Sequence, residues 1–92
     1  MNDAVYLENQ VQQSFSISIV AAQSNPLEQG YYDVWSTLDC YLRVDETATG
    51  VTASNGYILY SGNVITLFID DMRRIGAITA SSVGVLSFHK VG

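Results

Sequence analysis

Cys40 is the only cysteine and His89 the only histidine in the chain. One chain therefore assembles neither an intrachain disulfide nor a cysteine/histidine zinc cage. Nucleophilic hydrolysis needs a hydroxyl or thiol, a base and an orienting acid. The sole conventional base, His89, sits in Phe88-His89-Lys90 at a strand end, and no Gly-x-Ser-x-Gly elbow accompanies it. Cys40 alternates in register with Leu38 and Leu42, which reads as a small buried apolar residue rather than a reactive thiol. The acidic pairs Asp45-Glu46 and Asp70-Asp71 fall outside any D-x-D-x-D-G calcium loop and read as solvated turn residues. Gly50, Gly56, Gly62, Gly76 and Gly84 stand singly, so no phosphate-cradling loop is present. The expectation is a protein that is not an enzyme, with no catalytic residue, no metal ligand and no cofactor.

Recognition chemistry is better represented. Tyr31, Trp35 and Tyr41 share the odd parity that otherwise carries Asp33, Thr37, Asp39 and Arg43. Aromatic rings beside polar groups either stack on sugars, as in a carbohydrate-binding module, or anchor a protein interface. The competing reading is structural, with both faces of this strand pair covered inside a sandwich or barrel. Val5, Tyr6 and Leu7 form the one apolar cluster of an otherwise polar N-terminal stretch and join the candidate interface residues.

The elements that must position these groups are strands. Ser14-Phe-Ser-Ile-Ser-Ile-Val20 alternates apolar and serine positions with period two. Gln23 to Gly30 gathers turn formers, including the only proline. The alternation from Tyr32 to Val44 outlasts an ordinary strand and predicts a break near Ser36-Thr37-Leu38-Asp39, as a hairpin or a sharp bend. Thr47 to Ser54 suggests an edge strand, closed by the Asn55-Gly56 turn signal. Tyr57–Tyr60 and Val64–Ile69 read as strands around Ser61-Gly62-Asn63, Asp70–Arg74 as a loop, and Ile75–Thr79 and Val83–His89 as the last two strands. This predicts an all-β fold: one small antiparallel β-sandwich or barrel of about seven to eight strands, with residues 1–13 an N-terminal arm and 14–92 the β domain. The arm joins an edge strand, lies on a neighbour or frays. Strand parity places Phe15, Ile17, Ile19, Val34, Leu42, Val44, Leu67, Ile78 and Leu86 in the core.

Ninety-two residues make one domain, whose core is thin because so short a chain hides only about 60–65% of its unfolded surface. With no disulfide or zinc to supplement that core, partner subunits are the expected support, as a homodimer or homotrimer. Charged residues are only 14% of the chain against 48% hydrophobic, so the surface is dominated by uncharged polar groups. A net charge of −5 with four cations, Arg43, Arg73, Arg74 and Lys90, argues against a nucleic-acid partner. No apolar run approaches a membrane helix and Met1-Asn-Asp-Ala lacks a basic signal-peptide opening, so no membrane partner is expected, and synthesis in a cytoplasm is.

An ordered series of segments carries a resemblance: Tyr31-Tyr-Asp-Val-Trp35, Cys40-Tyr-Leu-Arg-Val44, Val51-Thr-Ala-Ser54, Tyr57-Ile-Leu-Tyr-Ser-Gly-Asn63, Arg74-Ile-Gly-Ala-Ile78 and Val83-Gly-Val-Leu-Ser-Phe88. From Tyr31 to Gly92, about two thirds of the chain, it resembles small β-rich bacteriophage virion proteins of the capsid decoration (cement) type. Asp70-Asp-Met-Arg-Arg74 is more charged than that loop usually is, and Val83 stands where a small residue is commoner. The resemblance implies a non-enzymatic structural protein on the capsid surface of the virion, with the major capsid protein or another virion structural protein as partner. A head-tail or tail accessory protein is the alternative within virions, and a small carbohydrate-binding module the alternative outside them.

Overall fold

The computed structural model describes residues 12–91. Eight strands follow one another: β1 (Gln13–Ile17), β2 (Ala22–Gln23), β3 (Gly30–Ser36), β4 (Cys40–Asp45), β5 (Tyr57–Leu59), β6 (Ile65–Ile69), β7 (Arg74–Thr79) and β8 (Gly84–Lys90). They form two antiparallel four-stranded sheets, sheet A in the order β1-β8-β3-β6 and sheet B in the order β2-β7-β4-β5. The all-β expectation holds, as an open sandwich rather than a closed barrel.

Most strand boundaries follow the sequence signals, β2 being a strand they did not announce, yet the chain seldom pairs a strand with its successor. Only β4 and β5 are both consecutive and bonded; every other connection carries the chain from one sheet to the other. The break at Ser36–Asp39 is thus a corner between sheets, not a hairpin. Ser36 ties it: its hydroxyl donates to the Leu38 carbonyl at 2.6 Å and accepts from the Leu38 N–H at 3.1 Å. A buried serine can satisfy a corner backbone that no ladder reaches.

Between the sheets lie Ile17, Leu27, Tyr32, Val34, Cys40, Leu42, Leu59, Ile69, Ile75, Ala77, Leu86 and Phe88, with Phe15, Val44, Ile65 and Leu67 half-buried against them. Phe88 is central, meeting Phe15 edge-on at 6.3 Å and Tyr32 at 6.2 Å between ring centroids. Burying such a side chain contributes about 2–3 kcal/mol.

Three sequence expectations fail for identifiable reasons. Ile19 is 61% exposed, because β1 ends at Ile17 and the chain bends toward sheet B, with Ser18 Oγ accepting from the Val20 N–H and the Ser18 carbonyl accepting from the Thr79 N–H. Ile78 lies on the outer side of sheet B opposite Tyr41, since β7 turns Ile75, Ala77 and Thr79 inward. Thr47 to Ser54 forms no strand but folds as a loop over the outer face of sheet B. There Ala48 and Val51 are 0% and 2% exposed, and the Ala48 N–H donates to Gln23 Oε1 at 2.8 Å. The loop ties itself: Asn55 Oδ1 accepts from the Thr52 N–H and Asn55 Nδ2 donates to the Gly50 carbonyl. Gly76 lies directly beneath it, where a methyl group would collide with the Ala48 carbonyl oxygen.

Candidate functional site

The two broad faces of the sandwich differ. Sheet B is roofed by its own loop; over sheet A no loop lies among the described residues. Because β3 alternates, Tyr31, Asp33 and Trp35 project outward from sheet A while Tyr32 and Val34 enter the core. Register then fixes their neighbours: Tyr31 stands beside Phe68, Asp33 lies between Thr66 and His89, and Trp35 stands beside Ser87.

Three chemistries share this face. At one end Tyr31 and Phe68, 53% and 49% exposed, meet edge-on with ring centroids 5.2 Å apart. Val91 joins them, its N–H donating to the Tyr31 carbonyl at 2.8 Å. In the middle, Thr66 Oγ1 donates to Asp33 Oδ1 at 2.7 Å, and His89 Nε2 lies 4.0 Å from Asp33 Oδ2. Beyond them the half-buried Trp35 meets the His89 ring at 5.4 Å, and Ser87 is buried beside it. Cross-strand aromatic pairs of this kind contribute about 0.5–1.5 kcal/mol each beyond the area they bury, so the rings are held in place before anything binds.

Threonine, aspartate and histidine together invite a catalytic reading, which the geometry refuses. Asp33 lies between the other two, so the imidazole has the carboxylate and not the threonine hydroxyl as its neighbour. Cys40 is buried among core residues; burial pushes its thiol above the ordinary value, opposed by the nearby Ser36 hydroxyl and reinforced by the charge of Asp39. Among the described residues no three His, Cys, Asp or Glu side chains gather in a group able to hold a metal ion. Asp45 is met by Arg43 at 3.6 Å and Arg73 at 3.3 Å. Lys90 reaches Glu28 at 3.2 Å and Arg74 donates to the Ser24 carbonyl at 3.3 Å. A cavity of about 380 Å³ at the loop end is lined by Thr37, Asp39, Ser61 and Ser82; Asp39 there already accepts the Ser61 N–H at 2.8 Å.

The structure thus brings Tyr31 and Trp35 onto one open face and separates Tyr41 from them. Tyr41 belongs to sheet B, half-buried under the 46–56 loop, where a Cβ on Gly56 would come within 2.7 Å of its own Cβ. Val5, Tyr6 and Leu7 lie outside the described residues. Sequence reasoning missed Phe68, Thr66 and Val91 as members of the face. Thr66 was the available signal: a polar residue inside Val64-Ile-Thr-Leu-Phe-Ile69 marks the outward parity, and Phe68 shares it. No family model, curated protein or solved structure matches this chain.

Proposed function

We propose that the protein is a non-enzymatic bacteriophage structural protein that decorates and stabilises the capsid, seated through the outer face of sheet A. One observation carries the reading: one broad face is roofed by the protein's own loop, while the other is aromatic and, among the described residues, has no segment laid over it, with Asp33 and His89 as the titratable groups of its central row. Rings already locked by their neighbours desolvate at little entropic cost, and sparse charge limits the penalty of burying ions against a shell to Asp33, which Thr66 already hydrogen-bonds. Modest contacts suffice, because a symmetric particle offers many copies of the same site. The resemblance to cement proteins supplies the partner class, the major capsid protein or another virion structural protein, and the capsid surface as location; homo-oligomers there add further contact.

The test is rebinding of purified protein to phage heads stripped of it, followed by heating of those heads. Wild-type protein should bind and raise the temperature of head disruption. Tyr31→Ser and Trp35→Ala should bind at least tenfold more weakly while Tyr41→Ser, under the loop, changes binding little. Binding that ignores Tyr31 and Trp35 overturns the assignment of the face, and no binding to heads overturns the function. Asp33 standing between Trp35 and Tyr31 on one face favours a second reading, sugar binding. Oligosaccharide-dependent quenching of Trp35 fluorescence would select it.

A further inference from the structure

Among the described residues sheet A ends at β6, and this edge is built unlike a protected one. From Tyr57 to Ile69 the chain runs thirteen residues, Tyr-Ile-Leu-Tyr-Ser-Gly-Asn-Val-Ile-Thr-Leu-Phe-Ile, without a charge or a proline. Exposed sheet edges are normally blunted by lysine, proline, a bulge or extreme shortness; five-residue β6 carries none of these. Because β1 at the far edge of sheet A packs on β2 and β7, β5 is the strand of sheet B on the β6 side. Tyr57, Tyr60, Val64 and Phe68 are all exposed along that side, and Ile65 and Leu67 are core-facing side chains left half-open to it.

The backbone of that edge can be read from the ladder. The Val91 N–H bonds to the Tyr31 carbonyl and the Thr37 N–H to the Val85 carbonyl, so the odd residues of β3 turn their backbone groups toward β8. Its even residues, Tyr32 and Val34, therefore bond to Leu67 and Ile65. The N–H and C=O groups of Thr66 and Phe68 consequently point to the free edge.

We propose that β6 pairs antiparallel with β6 of a second copy across a two-fold axis at Thr66, joining two copies of sheet A into one eight-stranded sheet. In this register Thr66 faces Thr66 of the second copy in a doubly bonded pair, Val64 faces Phe68, and Ile65 faces Leu67. β-branched and aromatic residues opposite one another are favourable cross-strand partners. Charge selects both the occupant and the register. A protein of net charge −5 meets its own copy along a stretch with no charge to repel, and centring on Thr66 leaves Asp70 beyond the paired residues, whereas centring on Phe68 would set Asp70 against Thr66. The two-fold stands perpendicular to the sheet, so both open aromatic faces look the same way and form one bivalent surface.

Sedimentation equilibrium of the full chain should show a dimer. Thr66→Pro, which removes an N–H that β3 does not use, should give a monomer with an unchanged far-ultraviolet spectrum. Thr66→Cys should oxidise to a covalent dimer. Val64→Cys alone should not, but should cross-link when mixed with Phe68→Cys. A wild-type chain still monomeric at millimolar concentration, or a dimer indifferent to Thr66→Pro, overturns the proposal, and cross-linking in another register overturns its geometry. If Thr66→Pro fails to fold, the cysteine series decides. The pairing stands apart from the virion assignment: a monomer that still binds heads refutes the pairing alone, and a dimer that ignores them refutes the function alone.

Discussion

Cys40 and Tyr32 illustrate how burial, rather than residue type, sets chemistry in this protein. Both are core side chains whose ionised forms the interior disfavours. Burial raises the Cys40 thiol above its ordinary value of 9.0 and the Tyr32 hydroxyl above 10.0. The Tyr32 O–H donates to the Glu28 carbonyl at 2.8 Å, a bond only the neutral phenol can donate. Between the unfolded and folded pKa of such a group the folded state keeps a proton that the unfolded state has lost, so stability falls as pH rises. Denaturant midpoints should accordingly decline once the pH passes about 9, the ordinary value of a thiol. In Cys40→Ala the decline should begin only above about 10, where tyrosine starts to ionise. A midpoint that stays flat through this window would show that Cys40 does not hold its proton in the fold. In the native protein the thiol should also resist alkylating reagents until the chain unfolds.

At the scale of elements, the connections decide more than the strands. The 46–56 loop is the roof of sheet B, and its close seat depends on Gly76, where an added methyl meets the Ala48 backbone rather than a movable side-chain tip. Gly76→Ala should therefore cost about 1–3 kcal/mol as the loop is forced off the sheet. Gly50→Ala, on the same loop with nothing within 4 Å of the added atom, should change stability by less than about 0.5 kcal/mol. Urea denaturation of the two variants checks the contrast. The Ser36 corner offers a parallel case. Ser36→Ala leaves the Leu38 amide and carbonyl without their partner and should cost about 1–3 kcal/mol by the same measurement.

Considered whole, the molecule is a sandwich laced together by alternation between sheets. β1 pairs with β8, β3 with β6 and β8, and β4 with β7, so every ladder but β4–β5 forms only after distant segments meet. Such non-local pairing is slow because loop closure must precede the contacts that reward it. Refolding followed by Trp35 fluorescence should take milliseconds to seconds rather than microseconds. The N-terminal residues pose the complementary question at this scale. β1 begins at Gln13, so deleting residues 1–11 spares every described strand. If Val5, Tyr6 and Leu7 serve the proposed attachment, this truncation should melt as the full chain does yet bind phage heads several-fold more weakly. A truncated chain that unfolds would instead make those residues part of its own domain.

Much of this was legible from residue order. Period-two alternation fixed most strands and sorted Ile17, Val34, Leu42 and Leu86 from their outward neighbours, because a pleated backbone gives each side chain one of two directions. The excess length of the Tyr32–Val44 alternation located the break at Ser36–Asp39, and turn chemistry the one at Asn55-Gly56. Parity tells a strand that it has two faces but not which sheet it enters. Tyr31 and Tyr41 look equivalent in sequence, yet they lie on opposite sides of the sandwich because the chain changes sheets between them. Ile78 falls outside because Ile75 and Ala77 claim the inner direction of β7. Nor does any local pattern announce that Thr47–Ser54 lies as a roof on sheet B while β3 leaves its aromatic face open; that contrast arises only when Gly76 and Ala48, distant along the chain, meet.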